Sequence, residues 1–355
     1  MGYPFVEIDL MQVRANARLL VAMGNVQAIQ IVGVTKGVCG DIDIAKAMLA
    51  GGITMLGDSR VQNLRRLRAA GIEVPLLLLR IPMPSEANEV VQTANCSLVS
   101  EISTIRQLSQ AAIDAGVVHD IILMVDMGDL REGVMPQKIL PLVQEILLFS
   151  GIRLLGLGAN FACYSGLIPA PRILENLAAL AQQVRNEFSL ELPVVSGGNS
   201  ANLDLLMAGA IPPGITQLRI GEGILLGRET LRRSPIPGAC QDSLILHTEI
   251  VEVQEKPSIP PGEIAQDAFG NTPVFVDRGI RKRAIAAVGR QDVEIGDLIP
   301  VLSGITILGG SSDHLILDIS DSSVAIAVGS EVCFYMRYGA MVRAMTSPYI
   351  CRVYK

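Results

Sequence analysis

The sequence has no excess of basic charge: 29 Lys and Arg stand against 35 Asp and Glu, a formal net charge of −6 over 355 residues. Without a basic field there is little to displace counterions from a phosphate backbone, so nucleic acid is not an expected partner. Apolar runs long enough to cross a bilayer are also missing. Segments such as Ile121 to Val125 and Val74 to Leu79 have strand length, whereas a spanning helix takes roughly 20 residues, so no membrane association is expected. The N-terminal segment from Met1 to Leu10 carries neither the basic-plus-apolar pattern of a secretory signal nor a Ser or Thr at its sixth position for myristoylation. A cytoplasmic chain is the expectation.

Cysteine and histidine are sparse and unpatterned. The six cysteines (Cys39, Cys96, Cys163, Cys240, Cys333, Cys351) show no CxxC or metal-ligand spacing, which argues against a disulfide framework. None of the three histidines (His119, His247, His314) lies within helical reach of another, so a zinc site built on paired histidines is not expected and no metal is assigned. Walker and GxGxxG phosphate motifs are absent as well.

What is present is core-forming material. Half the residues are hydrophobic, 18% are charged, and mean hydropathy is +0.42. Eight short apolar runs read as strands: Gln30 to Thr35, Ile53 to Gly57, Pro75 to Arg80, Cys96 to Ser100, Ile121 to Asp126, Ile152 to Gly158, Pro193 to Gly197 and Gln217 to Gly221. Helical spacing fills the gaps, as at Asp43 to Ala50, Ser59 to Ala70, Ser103 to Ala115, Gln137 to Leu148 and Pro171 to Phe188. Continuous rather than alternating apolar runs imply strands buried on both faces, hence a parallel sheet. Eight such units predict an α/β fold, a (β/α)8 TIM-type barrel over residues 1–230, with a doubly wound open sheet as the rival.

After Gly227 the texture changes to alternating segments without helices between them, at Leu244 to Gln254, Val274 to Asp277, Leu315 to Ile319 and Val332 to Arg337. Residues 231–355 are therefore expected to form a smaller, mostly-β C-terminal domain, with Pro257 to Gly262 as a loop.

In a barrel, chemistry collects at the carboxyl ends of the strands. Ser196-Gly197-Gly198-Asn199-Ser200 after the seventh run is small, polar and rich in unshielded backbone N–H groups, and a helical pattern over Ala201 to Ala208 follows it. That is a candidate anion site, walled on the other side by Gly221 and Gly223; an ordinary capped turn is the alternative. Lys36 directly follows the first apolar run, where a lysine is partly desolvated and its amine becomes nucleophilic. A lysine facing a phosphate pocket suggests pyridoxal 5'-phosphate held as a Schiff base, against the alternative of a surface lysine opening a helix.

Val34-Thr-Lys-Gly-Val38, Gly57-Asp-Ser-Arg60, Asp126-Met-Gly-Asp-Leu-Arg-Glu-Gly133, Ser196 to Ser200 and Leu218-Arg-Ile-Gly-Glu-Gly223 resemble the motifs of the alanine racemase-type pyridoxal phosphate enzymes. Gly289-Arg-Gln-Asp292 and Gly309-Gly-Ser-Ser-Asp-His314 are similar to the ornithine racemase-like branch, and the resemblance runs nearly the length of the chain. It implies a cofactor-binding barrel and a β domain assembled as a head-to-tail homodimer with shared active sites. The reaction it implies is racemisation of a free amino acid, a basic one such as ornithine.

By the same resemblance Lys36 carries the cofactor and moves one proton. Ser196, Asn199, Ser200 and Gly221 hold the cofactor with Asn160, which stands where alanine racemases usually place a histidine. Arg219 meets the pyridine nitrogen, and a permanently charged donor there keeps that nitrogen unprotonated. Arg131 lies near the phenolic oxygen and the substrate carboxylate.

Racemisation also needs a proton donor opposite Lys36, which the family supplies as a tyrosine from the partner's β domain; here the matching stretch, Asp267-Ala-Phe-Gly270, offers Phe269. His314 is the replacement candidate, since imidazole titrates near neutrality, with Asp313 beside it as a substrate contact; Cys163 is a weaker one. Asp58, Asp129 and Glu222 are the acidic residues placed to meet a substrate ammonium, or else to act as caps and ion-pair partners. Two other functions compete. A cofactor carrier would lack the second domain, and a lyase acting on D- or hydroxy-amino acids would often recruit a metal there, for which the sequence offers no His and Cys cluster.

Overall fold

The computed structural model describes residues 2–355 and divides into two compact units, Leu10–Gln241 and a second built from the residues up to Asp9 together with Asp242–Lys355. The division thus falls after Gln241, not at 230/231. Phe5–Ile8, inside the range expected to form the barrel, is a strand, β1, that belongs to the second unit.

The first unit is a closed barrel of eight parallel strands: β2 (Gln30–Val34), β3 (Leu56–Asp58), β4 (Leu76–Leu78), β5 (Cys96–Val99), β6 (His119–Met124), β7 (Ile152–Gly158), β8 (Val194–Ser196) and β9 (Gln217–Ile220), the last pairing back onto β2. Every expected strand is present within a few residues, and the open-sheet alternative is excluded by closure. The strands are buried on both faces because helices cover the outside, and this is why the runs are continuously apolar. Inward-pointing Val32, Met55, Leu77, Cys96, Leu98, Ile122 and Met124 fill the barrel, making it a packed core rather than a pore.

Helices interleave with them: α1 (Leu10–Val26), α2 (Ile42–Ala50), α3 (Val61–Ala69), α4 (Ala87–Thr93), α5 (Ile102–Asp114), α6 (Ile139–Ile146), α7 (Pro171–Phe188), α8 (Leu203–Met207) and α9 (Glu222–Leu226). Their ends obey local chemistry. Asp41 caps α2 by accepting from Asp43 N and Ile44 N at 3.1 and 3.0 Å, and α7 opens with proline at its first position, where no donor is lost.

The second unit is an eight-stranded sheet of β1, β10 (Leu244–Pro257), β11 (Ile280–Ala286), β12 (Leu298–Pro300), β13 (Thr306–Gly310), β14 (Leu315–Asp318), β15 (Glu331–Met336) and β16 (Cys351–Tyr354). Its main path runs β12-β15-β10-β11-β14-β13, all antiparallel. The first half of β10 alternates buried and half-buried residues, as expected of a sheet with one face on a core. Two expectations fail. Val274 to Asp277 forms no strand; it lies in an irregular excursion between β10 and β11 with Val274 91% exposed. A helix, α10 (Tyr338–Ala344), stands between β15 and β16 where none was expected.

Candidate active site

The carboxyl ends of the barrel strands gather most of the sequence-predicted residues. At the end of β2, Thr35 is buried and donates its hydroxyl to Asp58 Oδ2 at 2.7 Å, tying that end to the end of β3. Lys36 then opens a single 3-10 turn, Lys36–Val38. Its side chain keeps open surface although protein surrounds it on most sides, the situation of a residue lining a concavity. Loss of bulk water, reinforced by the cations of Arg131 and Arg219, holds its amine below the ordinary lysine value, while Cys163 and Asp58 act in the opposite sense.

Arg219 projects from β9 and is buried. Its guanidinium donates to Ser196 Oγ, to Ala159 O at 2.7 Å and to Asn160 Oδ1 at 2.7 Å. All three acceptors are neutral. Burial with no carboxylate in contact lowers its pKa to about 10, with Glu132 as the nearest opposing charge. Three bonds leave two of the five guanidinium N–H donors for a group entering the mouth.

From Arg219 a polar chain crosses the mouth. Asn160 Nδ2 donates to Glu132 Oε1, Glu132 pairs with Arg131 Nε at 2.7 Å, and Arg131 Nε also faces Asp129 Oδ2 at 3.3 Å. The other Asp129 oxygen accepts from Cys163 N and Tyr164 N at 3.0 and 3.1 Å, fastening the loop after β6 to the loop after β7. Asn160 therefore positions two arginines relative to each other. Glu132, which connects them, carries no recognisable signal in the sequence, being one acidic residue in a loop.

The stretch after β8 departs from its expected form. The helix expected over Ala201 to Ala208 is a 3-10 turn, Ser200–Asn202, followed by the five-residue α8. Asn199 spends its side chain on bracing: Oδ1 accepts from Ala201 N at 2.9 Å, and Nδ2 donates to Phe161 O at 2.9 Å and approaches Cys163 Sγ at 3.0 Å. Ser196 is likewise engaged, donating to Gln217 Oε1 at 2.9 Å while accepting from Arg219. Both supports were read from sequence as direct ligands. Ser200 is different: it is buried in the turn, and among the described residues no hydrogen bond engages its hydroxyl.

Glycine at two positions keeps the backbone bare. At Gly198 φ is +123°, and a Cβ would lie 2.7 Å from Asn202 Nδ2 and 2.9 Å from the Phe161 ring; at Gly221 it would press on Val34 at 3.2 Å. An enclosed amine, a cation with two spare donors, an unengaged hydroxyl and a side-chain-free backbone together form a donor set for an anion-bearing aromatic group.

The chain's matches among known proteins agree with this geometry. Residues 8–228 match the family model described as alanine racemase, N-terminal domain. Along the whole chain it is 44% identical to an ornithine racemase of Acetoanaerobium sticklandii, with 98% of each chain covered, and 41% identical to a lysine racemase of Thermotoga maritima, with 100% and 99% covered. The chain belongs to the alanine racemase family.

Its alanine racemase fold is shared by the crystal structure of the Streptomyces lavendulae enzyme, with a TM-score of 0.79 at 20% identity over 100% of this chain and 97% of that one. A Bartonella henselae alanine racemase with covalently bound pyridoxal phosphate gives a TM-score of 0.75 at 17% identity, with 100% of both chains covered. As a member of this family the chain is a pyridoxal phosphate-dependent racemase, an isomerase.

The remaining sequence candidates lie elsewhere or are occupied. His314 and Asp313 sit exposed in the turn from β13 to β14 of the second unit, where Asp313 accepts from Ser312 Oγ at 2.7 Å. Phe269 is half-exposed under Arg290, 4.6 Å from its ring centroid. The three carboxylates expected to meet a substrate ammonium are all engaged: Asp58 by Thr35, Asn63 and Arg60 N, Asp129 as described, and Glu222 by Arg233. The expectation that the second domain lacks a His and Cys cluster does not hold either. His247, Glu331 and Cys333 converge there.

Proposed function

We propose that the enzyme interconverts the L- and D-forms of a basic amino acid, ornithine or lysine, by two-base proton transfer at the α-carbon. The observation that carries the substrate class is the identity of more than 40% to an ornithine and a lysine racemase over essentially the whole chain. When bound, pyridoxal phosphate supplies the electron sink that makes the α-proton removable.

The chain's residues supply the rest. Ser200 and the bare backbone at Gly198 and Gly221 hold the phosphate, with Asn199 and Ser196 bracing that cradle. Arg219, fixed by Asn160, meets the ring nitrogen with a donor that stays charged near neutral pH, which limits the charge the ring can take up. Lys36 anchors the cofactor and takes or returns the proton on one face, its lowered pKa keeping a larger neutral fraction near neutral pH. Arg131, set by Glu132 and Asp129, receives the substrate carboxylate. His314 of a second copy provides the proton on the opposite face, with the partner's Asp313 beside it at the substrate.

That role calls for a homodimer in the cytoplasm. Ile264, Phe269, Val274, Phe275 and Val276, all at least partly exposed on the excursion between β10 and β11, supply an apolar surface for a second copy. No helix among the described residues is long and apolar enough to cross a membrane.

A panel of L-amino acids incubated with holoenzyme and resolved by chiral chromatography tests the reading. Ornithine and lysine should be converted at least tenfold faster than alanine. Alanine as the best substrate would reject the substrate class, and release of aldehyde or ammonia would reject racemisation.

A further inference from the structure

We propose that His247, Glu331 and Cys333 form a three-ligand site for a zinc-type divalent cation in the β domain. The site is made by register rather than by sequence spacing. His247 on β10 lies directly opposite Cys333 on β15, and Glu249 opposite Glu331 two pairs further along, so all four residues share one face of the sheet. His247 Nδ1 is 3.3 Å from Cys333 Sγ and 3.2 Å from Glu331 Oε1, and Sγ is 3.6 Å from the same oxygen.

These three separations are nearly equal. A tetrahedral cation with bonds of about 2.0–2.3 Å holds its ligand atoms roughly 3.3–3.8 Å apart, so the triangle fits three corners of such a site and leaves a fourth position open. One nitrogen, one sulfur and one carboxylate oxygen suit zinc rather than calcium or magnesium, which prefer oxygen alone.

The surroundings orient each ligand. Tyr3 donates to Glu331 Oε2 at 2.7 Å, turning Oε1 toward the site, and Phe5 stacks on the imidazole at a centroid distance of 4.5 Å, fixing the ring plane. His247 Nε2 is enclosed and makes no hydrogen bond, so Nδ1 is the ring atom that a ligand can reach. Glu249 and Glu331 oppose each other as like charges, an arrangement that is unfavourable until a cation offsets it.

A nucleophilic triad does not explain the cluster. Thiol and carboxylate both address the same imidazole nitrogen, so the ring cannot relay a proton between them. Cation binding replaces the S–H bond with an S–metal bond and releases that proton to solvent.

The test uses the full-length holoenzyme loaded with zinc and dialysed against a weak chelator, with metal counted by mass spectrometry and the shell read by zinc K-edge absorption. The expected result is one zinc per chain, with a single sulfur at ~2.3 Å among nitrogen and oxygen neighbours. C333S should remove the sulfur and H247Q should lower retention at least tenfold, whereas C351S should change neither. Failure of the folded wild-type protein to retain zinc, or a shell without sulfur, overturns the site. A sulfur contribution that survives C333S does so as well.

Discussion

Replacing Arg219 by methionine separates a residue kept for the ligand from one kept for the fold. The guanidinium is buried against neutral acceptors only, and burial lowers its pKa from the ordinary arginine value to about 10. At ~1.4 kcal/mol per pH unit, holding it charged costs the folded state about 3 kcal/mol relative to the unfolded chain. Methionine removes that cost but strands Ala159 O and Asn160 Oδ1, at about 1–3 kcal/mol each; Ser196 keeps its bond to Gln217. The terms nearly cancel, so Arg219→Met apoenzyme should unfold within about 3 kcal/mol of wild type. Cofactor binding has no such compensation. Loss of a charged hydrogen bond worth about 1.5–3 kcal/mol predicts pyridoxal phosphate affinity lower by roughly 10- to 150-fold. Urea unfolding of the apoenzyme and fluorescence titration with the cofactor measure the two quantities. A loss of more than about 5 kcal/mol in the apoenzyme with unchanged cofactor affinity would show that Arg219 serves the barrel, and the reasoning would be wrong.

Three further predictions concern the barrel. Gly198→Ala places a Cβ at φ +123° against Asn202 and Phe161, so strain of about 1–3 kcal/mol should appear as a lower Tm and weaker cofactor binding, whereas Gly209→Ala, in open space at φ +65°, should cost less and leave cofactor binding unchanged. Asp58→Asn removes an anion that favours the Lys36 ammonium, so the ascending limb of the pH profile of kcat, which reports the substrate complex in which Lys36 is a free amine, should move to lower pH; a shift to higher pH would contradict the assigned electrostatics. His119, buried against Ser97 Oγ at 2.9 Å, has its pKa lowered to about 4 by desolvation. The unfolded chain binds the extra proton first, so this stability is complete above about 6.5 and is lost as pH falls through about 4, in total about 3 kcal/mol. His119→Gln should flatten unfolding free energy across that window, and an unchanged pH slope would exclude the residue as its source.

The barrel was legible because burial on both faces leaves a local signature. Ile152–Gly158 and Pro171–Phe188 coincide with the expected strand and helix end to end. The place of Lys36 was legible for a related reason, as the first charged side chain after an apolar run. Long-range pairing left no such trace. β1 joins β10 and β16, partners more than 200 residues away, and nothing within Phe5–Ile8 announces them. Val274 to Asp277 has strand-like residues but no partner, and its apolar side chains stay outside. The supporting roles of Ser196 and Asn199 were hidden because a small polar residue reads alike whether it touches a ligand or the residue that does. The cluster at His247 depends on register between two strands, which separation along the chain does not encode.

Two-base racemisation of a basic amino acid is tested most directly by incubating holoenzyme with pure L-ornithine in deuterium oxide and following chirality and α-deuterium together by NMR and chiral separation. The expected product is D-ornithine carrying deuterium at the α-carbon, with approach to equal amounts of the two enantiomers and no other product. His314→Asn should slow α-exchange from one enantiomer more than from the other. L-ornithine recovered unchanged, deuterium incorporation without inversion, or loss of both enantiomers to a new product would contradict it.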